Sequence, residues 1–598
     1  MAFFLLKAYP VTADLNLDAG DAARTSAKPL KWRAFAVVIS LPALWYAWLV
    51  LQYGVNVPHY DQWVAMAPLF ETMEADRLSF HDFAAQHNEH RLTVPRFVFF
   101  ALARLTHWNT RAEMFLTWLT IVGMAGCLWK LLVATGGRAT AASYAVFAMA
   151  GLLIFDPLQE QNIIDGFNFH FVVPIAFILA AFVAVVTLGQ ATRFVVTAGL
   201  ASAATFSMAV GLGAWGLIFP LLLWRETAPG WRKWMIGWMA AFLLNLILYF
   251  VGYRMRAGTI GGVLHHPGAA LSYFLVYLGS PFAWGTALER TDVAGVVGAG
   301  LLAGIMIAAG TLWRLRTNMA FVRRAVPWLL VASIALLHGA LTTLGRYQLG
   351  ASQAMETRYV PYAVMAPIGL FFLGWLFCER AERIGVPWLR PALVAMGSML
   401  FLLHGLGVLV RMDAWPLLKH YRLMNKAVVQ TIDVVDEPEF HGRVTPETPP
   451  FRDSIHALAR LGYLTPAPLQ SRSIEEIADA KSPGDPRFGA LQESAQDGER
   501  VALTGWAVLP DRLEPADAVL LTCDDSRAGP SIVALIEVIE KRPDVVAATG
   551  EPGFFRSGWR RIFSARELPP GAIKAWAYDA ERRQAWRLPG EMKRKAGK

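Results

Sequence analysis

Charge is scarce in this chain. Only 17% of its 598 residues are Asp, Glu, Lys or Arg, while 55% are hydrophobic and the mean hydropathy is +0.38. This excludes one large soluble core, because near-uncharged runs of about 20 residues recur, the length that crosses a bilayer as a helix. Cysteine is scarce too: Cys127, Cys378 and Cys523 are scattered, which excludes a disulfide framework and a CxxC metal site. No GxxxxGK[ST] loop occurs, which excludes that nucleotide-binding mode, and "HNEH" is not the zincin HExxH. The first 30 residues mix acids, small residues and one short apolar patch. They lack the pattern of a cleavable signal, and residues 1–33 read as a mobile cytoplasmic tail.

What is there is a series of about eleven apolar runs, the mark of an α-helical polytopic membrane protein. They are Ala34–Tyr53, Ala112–Ala134, Ala139–Phe155, His170–Leu188, Phe194–Met208, Gly211–Trp224, Trp234–Val251, Asp292–Trp313, Ala325–Leu344, Tyr359–Phe377 and Leu389–Val410. Val94–Leu105 is too short to cross and predicts an interfacial helix. Ala269–Ala287 would break the alternation and predicts a re-entrant or surface helix bent at "GSPF". Lys and Arg gather in alternate connections, such as Lys28–Arg33, Arg225–Lys233 and Arg314–Arg324. That side is expected to be cytoplasmic. The connections 55–93, 156–169, 208–211, 252–291 and 345–358 then face outward, together with everything after Arg411. The expected setting is a bacterial cytoplasmic (inner) membrane, N-terminus inside and C-terminal domain outside, in the periplasm.

The chain after residue 411 is different material. Residues 412–497 read as a Pro- and charge-rich linker with short helices. Residues 498–598 read as a small β-sandwich-like domain, from runs such as "RVALTGWAVLP" and "DAVLLTCDD". Its four tryptophans, Trp506, Trp559, Trp576 and Trp586, suit either sugar stacking or a core. The tail is near neutral, so the basic excess belongs to the membrane part. It answers cytoplasmic loops and anionic lipid rather than nucleic acid.

The outward connections hold the candidate chemistry. Asp61 follows the first span directly, in "NVPHYDQW", and Glu89 lies in "QHNEHRL" just before the next helix. A carboxylate at a membrane surface suits proton removal from a hydroxyl, or holding a divalent cation against a phosphate. His59, His87, His90 and Arg91 add donors, acceptors and a fixed charge. His87 and His90 at i, i+3 on one helical face would share a metal. Asp165 and His170 lie among amides and aromatics, the mixture a sugar site uses. Arg346, Arg358 and Tyr359 lie in the last such connection, where a guanidinium suits a lipid phosphate.

These features resemble the GT-C superfamily of integral-membrane, polyprenyl-phosphate-sugar-dependent glycosyltransferases. The resemblance covers roughly residues 34–411. It rests on the acid in a long first outer loop, the many spans, "TRYVPY" in a late outer loop and the outward C-terminal domain. It implies transfer of a sugar from a polyprenyl-phosphate donor to a cell-envelope glycan, lipid or protein acceptor. It implies Asp61 as catalytic base or metal-holding acid, Glu89 as a second acid, Arg358 on the donor phosphate, and Mg or Mn as a candidate cofactor. The family's usual paired acid is not present at Asp61, whose neighbours are Tyr60 and Gln62. Three rival readings are a lipid-linked glycan polymerase or ligase, a transporter or flippase, and a scaffold whose tail binds glycan. A transporter would carry charge at mid-membrane depth, where these spans show little.

Overall fold

In a computed structural model, the described residues run from 29 to 594. They exclude 137–139, 226–230, 255–258, 384–385, 436, 446–450, 480–483, 498–499, 526–528 and 565–566. The expected cytoplasmic tail lies outside the described residues as far as position 28. One compact unit extends from Pro42 to Lys598 and holds every element that positions the site.

The protein is a multi-pass helical membrane protein with a β-rich C-terminal region. Each of the eleven expected runs falls largely on a helix. Among the described residues, seven helices are long and apolar enough to cross a membrane: Thr110–Ala134, Gly166–Thr187, Trp231–Phe250, Arg290–Arg314, Met319–Leu349, Thr357–Ala381 and Leu389–Met412. Two shorter apolar helices are Ala141–Ile154 and Gly211–Leu222. The segment expected to bend at "GSPF" is a helix, Pro267–Gly279, closed by a 3-10 turn at Ser280–Phe282. It lies against Arg290–Arg314 with no room for a side chain at Gly279 or Gly298. A Cβ on Gly279 would sit 1.9 Å from the Ala294 carbonyl oxygen, and one on Gly298 1.9 Å from that of Leu275. Small residues let helix backbones approach this closely.

Several segments meet at one end of the helices. Val94 N donates to Phe206 O at 2.9 Å. Arg91 donates to Tyr249 O at 3.0 Å, Gln161 to Glu356 at 2.9 Å, and Arg411 forms a two-pronged ion pair with Glu160. At the opposite end Arg324 donates to Thr135 O at 3.0 Å and to Glu379 at 3.2 Å.

The first long connection is folded, not a free loop. It holds helices Asp61–Ala65, Ala67–Glu74 and Phe80–Ala84, then a two-stranded hairpin, then the helix Thr93–Thr106. The stretch expected as a linker with short helices does carry helices, Trp415–Thr431, Pro438–Val444 and Phe451–Arg460. These helices and the first connection bury one core together, which includes Val57, Trp63, Phe70, Leu423, Ile455 and Leu458. Polar pins run along it: Ser454 donates to Glu71 at 2.5 Å, and Arg460 pairs with Glu74 at 2.7 Å.

Two antiparallel five-stranded sheets form the C-terminal sandwich. One has Gly571–Asp579 and Ala518–Asp525 at its centre, and the other Arg500–Leu509 and Gly558–Ser564. The sandwich starts at Gly489, earlier than the expected 498, because Gly489–Asp497 pairs with Arg500–Leu509. Side chains such as Leu503, Val519, Phe563 and Ala575 fill the space between the sheets. Trp506, Trp559, Trp576 and Trp586 are all buried, so they serve as core. The outer face of one sheet, with Leu520, Leu535, Trp576 and Tyr578, joins the core made by the first connection and the tail helices.

Candidate functional site

Asp61 opens the helix Asp61–Ala65 and follows a strained residue. Tyr60 has φ 47 and ψ −112, a backbone conformation that a bulky side chain rarely adopts. Such strain persists where neighbours over-determine it, and it concentrates at functional sites. Here the neighbours are visible. Tyr60 N donates to Val444 O at 2.7 Å, and Gln62 accepts from His59 N at 2.9 Å. Gln62 donates in turn to Glu113 at 2.6 Å, whose other oxygen accepts from Trp108 at 3.0 Å. Gln62 and Glu113 are fully buried. The first turn of Thr110–Ala134 therefore anchors the backbone that carries Asp61.

The Asp61 side chain is 39% exposed and lies 3.7 Å from His87 Nε2. Burial pushes its carboxyl up. The nearby His87 imidazole, with His170 and Arg358 behind it, outweighs burial and holds it below the ordinary carboxylate value. Asp61 is thus an anion at neutral pH.

His87 and His90 do not lie on one helical face. Gln86–His87 and His90–Arg91 are short antiparallel strands, and the two histidines oppose each other across a hairpin. Asn88 makes the turn possible by adopting φ 50, which Asn tolerates better than most residues. His90 accepts from Ala209 N at 3.4 Å. Burial, then His87 and Arg346, push the His90 imidazole down to about 3, so it is neutral.

A second wall comes from the connections 156–169 and 345–358. His170 Nδ1 donates to Phe167 O at 2.7 Å, which leaves Nε2 as an acceptor. Asp165 accepts from Phe167 N at 3.2 Å, and burial raises its carboxyl to about 6 against the pull of Arg422. Gln161 bridges the two connections, accepting from Arg358 N at 3.0 Å while donating to Glu356. Arg358 lies 3.9 Å from Glu356 and over the Tyr359 ring. Tyr359 accepts from Gln353 at 3.0 Å, and Gln353 accepts from Tyr273. Beyond them His338 bonds Tyr277 at 3.0 Å and stacks on Tyr362.

The structure therefore brings Asp61, His87, His90, Asp165, His170, Arg346, Arg358 and Tyr359 into one neighbourhood. It puts Arg91 and His59 to other uses, and it fixes Glu89 through its backbone. Arg91 spends its guanidinium on the carbonyls of Ala84, Tyr249 and Val251. Glu89 offers its carbonyl to the hydroxyls of Tyr249 and Tyr253. His59 faces the tail, beside Tyr421 and Asn425.

Among the described residues, no group of three or more His, Cys, Asp or Glu is placed to hold a metal ion. Sequence reasoning missed Gln62, Glu113, Gln161, Tyr273, His338 and Arg422. His338 had a signal, since an ionisable residue inside an apolar run is seldom idle. Arg422 had none, because its neighbours are hundreds of positions away. No family model, curated protein or solved structure matches the chain.

Proposed function

We propose that this protein is a glycosyltransferase. It moves a sugar from a polyprenyl-phosphate donor to a glycan, lipid or protein acceptor on the outer face of a bacterial cytoplasmic membrane. The observation that carries this reading is the Asp61–His87 pair beside Arg358. An anionic oxygen, a ring nitrogen and a guanidinium stand together where membrane helices end. An acceptor hydroxyl needs a group to take its proton, and a departing lipid phosphate needs a cation. Asp61 takes the acceptor proton as its oxygen bonds to the sugar carbon. The bond from that carbon to the phosphate oxygen breaks, and Arg358 stabilises the phosphate that leaves. No step is routed through a metal.

The basic connections support an N-inside, C-outside arrangement with about eleven spans. A polymerase or ligase for lipid-linked glycans would use the same donor chemistry and stays the second reading. A transporter is less favoured, because the charged residues gather at the helix ends.

The deciding experiment is Asp61→Asn, assayed for sugar transfer in membranes with protein level checked by blot. The amide keeps size and hydrogen bonding but cannot take a proton. Transfer is expected to fall about 100-fold or more, the scale of general base catalysis. Wild-type turnover at normal abundance would remove Asp61 from the mechanism and favour the transporter or scaffold. Mass spectrometry of surface glycans from cells lacking the protein separates transferase from ligase. A missing sugar indicates transfer, and an accumulated, fully built lipid-linked glycan indicates ligation.

A further inference from the structure

Arg422 lies on the tail helix Trp415–Thr431, outside every apolar run, yet only 2% of it is exposed. Its Nη2 donates to Val57 O at 2.8 Å. Its Nε and Nη1 are buried with no hydrogen-bond partner, and among the described residues no carboxylate is within ion-pair range. Buried donors on a charged group are costly to leave unmade, and native structures retain them where something outside the chain completes them. Arg358 shows the same defect from the opposite wall, because its Nε is also buried and unpartnered. Both guanidiniums bear on one acid, Asp165. Asp165 does not discharge either of them, because its closest bond is to Phe167 N.

Two guanidiniums with three idle N–H positions call for an acceptor with several oxygens. A phosphate fits that demand, since guanidinium forks match its geometry with paired hydrogen bonds. A neutral sugar would leave the Arg422 charge without an ion-pair partner. We propose that Arg422 and Arg358 together hold the phosphate of a bound ligand, so that the C-terminal tail supplies part of the binding site. The assignment of that phosphate to a lipid donor rests on the glycosyltransferase reading; the anion site itself does not.

The test measures binding to the purified full chain in detergent with three probes: farnesyl phosphate, farnesol and inorganic phosphate. Farnesyl phosphate is expected to bind at least tenfold more tightly than farnesol. Arg422→Gln should lose at least tenfold for farnesyl phosphate and nothing for farnesol, and Arg422→Lys should fall between. Competition by inorganic phosphate assigns the site to the phosphate group alone, and failure to compete assigns it to a lipid phosphate. Unchanged binding of farnesyl phosphate to Arg422→Gln overturns the role of Arg422 and leaves the glycosyltransferase reading standing. A wild-type chain that binds neither phosphate probe overturns both.

Arg422→Gln could also fail to fold, so a second measurement uses the wild type. A farnesyl phosphate carrying a photoreactive group on its prenyl chain should crosslink to the wild-type chain, as mapped by peptide mass spectrometry, at peptides from Trp415–Thr431 or from the segments packed against it, and unlabelled farnesyl phosphate but not farnesol should compete. Absent crosslinking there, or crosslinking that farnesol displaces equally well, means that ordered water alone completes these donors and overturns the proposal.

Discussion

Arg111 donates to Glu581 at 2.6 Å, joining the start of a membrane helix to the C-terminal sandwich across 470 positions of sequence. Both side chains are only part-buried, so the pair marks where the sandwich sits more than it holds it there. A double-mutant cycle on Arg111 and Glu581 should give a coupling of about 1 kcal/mol or less, as partly exposed pairs do.

The larger force is apolar. Leu520, Leu535, Trp576 and Tyr578 on the sheet's outer face are buried against other parts of the chain. A fragment from Gly489 onward should show β-type circular dichroism, because its inner core is complete. It should also self-associate with rising concentration in sedimentation, through the face left bare. A monodisperse monomer at all concentrations would show that this face does not depend on the rest of the chain.

The pH profile of transfer separates Asp61 from His87. A depressed carboxyl stays ionised as the pH falls and fails as a base only below its ordinary value of about 3.9. Between pH 7 and pH 5 transfer should therefore show no acidic limb from Asp61. An acidic limb in that range that disappears in His87→Gln would hand the base role to His87. Asp76→Asn is the control, since Asp76 is exposed at φ 52, where Asn sits at ease.

Asp165 carries a stability signature of the opposite sign. Its carboxyl is raised to about 6 by burial, so the folded state binds more protons than the unfolded state between about pH 4 and pH 6. Stability should decline as pH rises through that window. Asp165→Asn removes the dependence. The variant should match the wild type at pH 4 and exceed it by on the order of 2 kcal/mol at pH 8. Thermal unfolding at the two pH values checks this, and equal differences at both would contradict it.

Gly279→Val should be severely destabilising, by about 3 kcal/mol, because the added carbon meets backbone that cannot move aside. The measurement is the yield of folded protein in detergent, set against Gly126→Ala, where nothing lies within 4 Å of the new carbon.

The helices were legible in the sequence because a run of about 20 apolar residues is a local signal. The sandwich strands were legible for the same reason, through alternation bounded by Pro, Gly and Asp. The hairpin at Gln86–Arg91 was not. Two-residue strands leave no period to read, and the turn uses Asn88 without the glycine that usually announces it. Asp61, His170 and Arg358 stood out as polar residues beside apolar runs. The partners that orient them, Gln62 with Glu113 and Gln161 with Glu356, depend on contacts 51 and 195 positions apart. Residues 412–497 read as a linker with short helices on composition, and only the shared core reveals the apolar face of those helices.

That shared core also sets an order in time. Residues 55–93 leave the ribosome roughly 320 positions before the helix Trp415–Thr431 that covers them. At about 5–20 residues per second the wait is roughly 15–60 s. Throughout it Val57, Trp63 and Phe70 lack the tail side chains that complete their core. The region around Asp61 is thus the first part of the site to be made and the last to be finished. A nascent chain halted before Trp415 would carry an inserted membrane bundle with an open, sticky surface for chaperones and proteases to find.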